Sequence, residues 1–208
     1  AEYLQWVYEK SDSRRAIIEA FRGVGKSWIT SAFVCWLLLK DPQLKILVVS
    51  ASKERSDSFS IFTKRLIHEL PVLKHLIPRD EQRTSNVAFD VAPAKAAHAP
   101  SVKSVGITGQ MTGSRANVII ADDVETPKNS QTQVQRDKIS ELVKEFEAIL
   151  SPGGTILFLG TPQTEMSLYN TLRHERGYLC RIWPSRYPSH NKLIYYGGAL
   201  APSILKVC

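Results

Sequence analysis

Ala20-Phe21-Arg22-Gly23-Val24-Gly25-Lys26-Ser27 follows the short apolar run Ala16-Ile17-Ile18 and opens a long apolar segment, Trp28 to Leu39. A strand, a glycine-bearing loop and a helix beginning Lys-Ser is the arrangement by which a chain cradles a polyphosphate. The first backbone N–H groups of such a helix lack intrahelical partners, and the helix dipole adds partial positive charge there. Arg22, Gly23, Val24 and Gly25 then wrap the phosphates, Lys26 reaches the β/γ-phosphates, and the Ser27 hydroxyl can ligate Mg2+. The full pattern has a glycine where this chain has Ala20.

Working outward, the strand before the loop spans about Arg15 to Ala20, and the helix after it runs from Lys26 to about Lys40, where Asp41-Pro42 stops it. The first fifteen residues carry Tyr3, Leu4, Trp6, Val7 and Tyr8 and suggest a short amphipathic helix. Leu44 to Ser50 reads as a strand buried on both faces, followed by a helix to about Leu70 and a short helical stretch between Pro71 and Pro78. Val87 to Val91 alternates as a short strand, with Ser101 to Ile107 expected to pair with it as a hairpin-like insertion. Val118-Ile119-Ile120-Ala121 is a third buried strand, ending in Asp122-Asp123-Val124-Glu125. Ile139, Leu142, Val143, Phe146, Ile149 and Leu150 share one helical face; Ser151-Pro152-Gly153-Gly154 is expected to turn the chain. Thr155 to Leu159 is the fourth buried strand, ending in Gly160-Thr161-Pro162-Gln163, before a helix near Met166 to Glu175 and a strand near Tyr178 to Trp183. Alternating helices and buried strands give an α/β fold with a mainly parallel central sheet flanked by helices.

The 208 residues suffice for one domain with a substantial core, and the longest apolar run, Ala32 to Leu39, is too short to cross a bilayer. The opening residues do not resemble a secretory leader, and three widely spaced cysteines fit a reducing compartment. The net charge of +7 suits a polyanionic partner, and the segment from Thr171 onward supplies +5 of it.

Ligands of open α/β sheets bind beyond the carboxyl ends of the strands. One strand leads to Lys26 and Ser27. Another ends in adjacent acids, of which Asp122 is assigned to the metal and Asp123 to the general base, with Glu125 a rival for the base. The last ends in Thr161 and Gln163, placed to sense a γ-phosphate.

These residues resemble a known family, the ATPase domain of the large terminase subunit of tailed bacteriophages, called DNA maturase B in the short-tailed branch. Besides the loop, the resemblance is carried by Lys45 to Lys53, Ser101 to Gly109, Thr112-Gly113-Ser114-Arg115-Ala116, Val118 to Glu125 and Leu159 to Met166. It implies a P-loop NTPase of the ASCE type that binds ATP and Mg2+ and drives double-stranded DNA into a procapsid. It also implies a ring of five subunits in the host cytoplasm, docked on the portal protein and working with the small terminase subunit. Ala20 and Arg22 are then marks of the family, which tolerates loss of the first loop glycine and carries a loop arginine. Arg115 matches the region that sends an arginine finger to the neighbour's site, the alternative being an arginine paired with a local acid. The family's adenine-contacting motif is incomplete here, and its carboxylate-rich nuclease domain is expected to be absent, so no DNA cleavage is expected. Residues 1–208 are read as one ATPase domain. Two other readings stand beside the packaging motor: a helicase-like or other P-loop ATPase acting on nucleic acid, and a non-catalytic nucleotide-binding module. Lys53, Arg55 and the basic tail are the DNA-facing candidates, through backbone contacts without base readout.

Overall fold

A computed structural model describes residues 1–162 and 166–185. The elements are α1 (Glu2–Glu9), β1 (Arg15–Ala20), α2 (Lys26–Lys40), β2 (Ile46–Ser50), α3 (Lys53–Glu69), a 3-10 turn (Pro71–Leu76), β3 (Ala88–Phe89), β4 (Val102–Gly106), β5 (Ala116–Asp122), α4 (Gln133–Ile149), β6 (Leu150–Gly160), α5 (Leu168–Glu175) and β7 (Leu179–Trp183). They form one seven-stranded sheet in the order β3-β4-β2-β5-β6-β1-β7, parallel except for the short edge pair β3–β4. The α/β class and the mainly parallel sheet flanked by helices are therefore as the sequence implies.

The two-residue period of each strand sorts side chains to two faces. Ala16, Ile18, Ile46, Val48, Val118, Ile120, Leu157 and Leu159 pack with α1, α2 and α3. Ile17, Leu47, Val49, Ile119, Ala121, Ile156 and Phe158 pack with α4 and α5. With both faces covered, the central strands must be apolar throughout, which accounts for their unbroken hydrophobic runs.

Two expectations need correction. Ser101–Ile107 is not a hairpin insertion: Val102–Gly106 pairs parallel with β2 along its whole length, and only Val102 and Lys103 pair with β3. The chain then returns from β4 to β5 through residues 107–115 with no helix, so Ile107 and Met111 cover the sheet where a helix usually would. Nor does Ser151–Gly154 form a turn between elements. Strand β6 starts at Leu150, and these residues bulge from it as the register with β5 jumps from Ala116↔Leu150 to Val118↔Thr155. Gly153, at φ +72°, supplies the left-handed conformation that the bulge requires.

Candidate nucleotide site

The sheet order makes β5, β6 and β1 consecutive neighbours, so the three strand ends carrying chemistry converge. Position 20 lies inside β1, paired with Trp183, and has no positive φ; alanine serves there as well as glycine. The turn itself needs Gly23 (φ +85°) and Gly25 (φ +84°), and Gly25 is the N-cap of α2. No side chain caps that helix start, which leaves its N–H groups turned toward the loop.

Lys26 Nζ donates to the carbonyls of Ala20 (2.9 Å) and Phe21 (3.2 Å) and to Thr161 Oγ1 (3.1 Å). The Thr161 hydroxyl in turn donates to the Ala20 carbonyl at 2.9 Å. Lysine and threonine thus lie together at the end of β1 although 135 residues separate them. The Ser27 hydroxyl donates to Asp122 Oδ2 at 2.9 Å, while Asp122 Oδ1 is buried with no partner. Burial pushes the Asp122 carboxyl up to about 6, against the opposing pull of the Ser27 hydrogen bond and the positive charges of Lys26 and Arg55. An unpaired buried carboxylate oxygen beside a serine hydroxyl is a donor set suited to Mg2+, which takes one or two carboxylates and fills its other positions with water and substrate phosphates. Among the described residues, no cluster of three or more His, Cys, Asp and Glu side chains could hold a metal by itself.

Asp123 follows in the left-handed region (φ +45°), which aspartate tolerates, with its N–H bonded to the Leu159 carbonyl at 2.8 Å. Its side chain borders a polar cavity of about 430 Å³ together with Arg22, Gly23, Gly25, Lys26, Ser27 and Thr161. Glu125 borders the cavity too, but its side chain is only 2% exposed and its Oε2 accepts from the Leu168 N–H at 2.6 Å, at the start of α5. Burial raises its carboxyl, and the Leu168 hydrogen bond and the Arg136 charge oppose that rise. On the other side of Lys26 lies an apolar cavity of about 700 Å³, lined by Tyr3, Trp6, Ile18, Val24, Ile29, Leu159 and Trp183 among others. A charged compartment and an apolar one therefore meet at a single lysine.

Comparison with known proteins now decides the family. Residues 17–155 match the family model described as terminase large subunit, T4likevirus-type, N-terminal. The chain belongs to the terminase large subunit family. Over 201 residues it is 58% identical to the large terminase subunit of Enterobacteria phage T3, an alignment covering 95% of this chain and 34% of the relative. The chain thus spans about a third of the length of the curated relative it matches. Among solved structures, the N-terminal domain of the DNA packaging ATPase from bacteriophage phi29 aligns with a TM-score of 0.52 at 13% identity, covering 78% of this chain and 80% of that one. That likeness is one of fold.

Not every residue read from the sequence reaches this terminase site. Arg115 immediately precedes β5 and so stands at the end of the sheet opposite Asp122, where its guanidinium donates to the Ala148 carbonyl at 2.8 Å, a backbone group and not an acid. It does not enter its own chain's cavity. Gln163 lies outside the described residues, as do Arg186, Lys192 and Lys206 of the basic tail. Two contributors escaped the sequence reading. Arg55, counted there as DNA-facing, borders the polar cavity, as does Trp28, which is 67% exposed and packs on Phe62 with ring centroids 4.3 Å apart. The apolar cavity draws on α1, β1, α2, β6 and β7, and only the cluster Tyr3-Leu4-Trp6 hinted at it.

Proposed function

We propose that residues 1–208 are the ATP-hydrolysing motor domain of a terminase large subunit, driving double-stranded DNA into the procapsid. The observation that carries this reading is the meeting of the two cavities at Lys26. ATP is itself a polyanion joined to a flat apolar base. The polar cavity suits the triphosphate, and the aromatic-lined cavity suits adenine and ribose.

In this reading Arg22, Gly23, Val24 and Gly25 wrap the phosphates, and Lys26 exchanges its hold on the Ala20 and Phe21 carbonyls for the β/γ-phosphates. Ser27 and Asp122 hold Mg2+, which neutralises charge on the phosphate oxygens when bound. Asp123 orients a water and accepts its proton as the water oxygen bonds to the γ-phosphorus. The bond from that phosphorus to the bridging oxygen breaks, and ADP leaves with the electron pair. Glu125 is the weaker candidate for the base, because one of its oxygens is committed to the α5 backbone. Thr161, bonded to Lys26 across the β1 and β6 ends, senses the γ-phosphate with Gln163.

As partners this reading takes a ring of five subunits, the portal protein, the small terminase subunit and DNA bound without regard to sequence, in the host cytoplasm at the portal. Among the described residues no helix is long and apolar enough to cross a membrane. Arg115, distant from its own site, is free by position to serve a neighbour's, where such a finger is worth about 10³–10⁵ in rate. The test is Mg2+-dependent ATP turnover as a function of protein concentration, with duplex DNA present. Turnover per chain should rise with concentration, and an equimolar mixture of Lys26→Ala and Arg115→Ala chains should recover activity that neither has alone. Absence of turnover at every concentration overturns the ATPase reading; turnover without recovery in the mixture overturns the role of Arg115.

A further inference from the structure

Strand β2 lies beside β5, with Ser50 in register with Asp122, so whatever follows β2 emerges next to the acidic strand end. Three residues later α3 begins, and its start is held firmly. The Ser52 hydroxyl accepts from the Arg55 N–H at 3.4 Å. On the other flank, a Cβ at Gly106 would come within 2.8 Å of the Lys53 nitrogen, so β4 and the helix start touch backbone to backbone. Arg55 sits in this pinned first turn and borders the polar cavity. In the sheet order it approaches from the β2 side of Asp122, whereas Lys26 and Arg22 approach from the β1 side.

Farther along the same helix Arg65 pairs with Glu69, and on the opposite flank Arg22 of the loop borders the same cavity. Among the described residues the Arg55 guanidinium has no hydrogen-bond or ion-pair partner, although its charge is felt at Asp122. A planar five-donor fork at the mouth of a polar cavity matches phosphate oxygens, where a lysine would offer a point charge only.

We propose that Arg55 is a second phosphate-binding residue of the same chain, closing on the terminal phosphate from the side opposite the phosphate loop. The proposal rests on the nucleotide reading above and gives the site a way to tell ATP from ADP. The loop and Lys26 grip both nucleotides, whereas Arg55 meets an oxygen that only ATP has. Acting within its own chain, it also differs from Arg115, whose side chain lies at the other end of the sheet.

The experiment is equilibrium binding of Mg-ATP and Mg-ADP to the wild type and to Arg55→Ala, Arg55→Lys, Arg65→Ala and Lys26→Ala chains, each checked for native circular dichroism. Arg55→Ala should weaken ATP binding about tenfold or more, the range for one charged hydrogen bond, and leave ADP within about twofold. Arg55→Lys should fall between, and Arg65→Ala, an equal charge loss on the same helix, should match the wild type. Equal ATP affinity in Arg55→Ala and wild type overturns the proposal while leaving the nucleotide site intact. Wild-type affinity in Lys26→Ala overturns the nucleotide reading beneath it. In mixtures, Arg55→Ala with Lys26→Ala should recover no turnover, since both losses fall in their own sites; recovery would move Arg55 to a neighbour's site and overturn the assignment.

Discussion

Replacing Glu125 separates a structural carboxylate from a catalytic one. Its Oε2 is the acceptor for the Leu168 N–H at 2.6 Å, and α5 has no other side-chain cap. Glu125→Ala leaves that buried N–H without an acceptor, a loss of about 1–3 kcal/mol. For a chain of this size, each kcal/mol moves the melting temperature roughly 2–4 °C, so a fall of roughly 2–12 °C is expected in thermal unfolding at pH 7. Glu125→Gln keeps an acceptor oxygen and exchanges the unpartnered charged Oε1 for a neutral amide, so stability should stay within about 1 kcal/mol of wild type. With Asp123 as the base, Glu125→Gln retains turnover, and Asp123→Asn binds ATP without hydrolysing it. Scanning calorimetry on the two Glu125 variants, paired with phosphate release from both glutamine and asparagine forms, reads every arm. A Glu125→Ala chain as stable as wild type refutes the capping role. An inactive Glu125→Gln beside an active Asp123→Asn refutes the assignment of the base.

Gly160→Ala should be costly although the residue is small, because a Cβ there would lie 2.1 Å from the Tyr169 ring. Displacing that buried ring costs about 1–3 kcal/mol, read as a lowered urea midpoint; an unchanged midpoint contradicts the close approach. Arg15 holds the Glu147 carboxyl below its usual 4.5 by a two-bond ion pair, Nε to Oε1 at 2.9 Å and Nη2 to Oε2 at 2.7 Å. A carboxyl depressed in the folded state contributes stability above 4.5 and loses it as pH falls through the folded value. Both side chains are partly exposed, so Glu147→Gln should remove only about 0.2–1 kcal/mol at pH 7 and nothing near pH 2; a loss independent of pH contradicts this. Duplex DNA binding should fall steeply between low and high salt, and a flat titration argues against a DNA-backbone surface on this chain.

Local signals carried the elements nearest the site. Proline after Asp41 and glycine before Lys26 bracket α2, and its observed span, Lys26–Lys40, is the one those residues mark. Strand β4 was harder because its burial alternates, with Lys103 and Val105 half-covered, a pattern shared with antiparallel hairpins. That half-cover results from the helix-free return through 107–115, a feature of topology and not of the strand's own residues. Pro152-Gly153-Gly154 carries turn chemistry wherever it occurs, and only pairing with β5 makes it a bulge. At the site, the phosphate loop and Asp122-Asp123 were legible because each sits at the end of an apolar run. Arg55 and the apolar cavity depend on which strands lie side by side, and no short stretch encodes that.

The most direct measurement is the thermal shift produced by Mg-ATP in wild-type and Lys26→Ala chains. At a concentration one hundred times Kd, binding to the folded state adds about 2.7 kcal/mol, a rise of roughly 5–10 °C for a chain of this length. The wild type should show that rise, and the Lys26→Ala chain should show none at the same ATP concentration. An equal rise in both chains, or none in the wild type at saturating ATP, would contradict a nucleotide site built on Lys26.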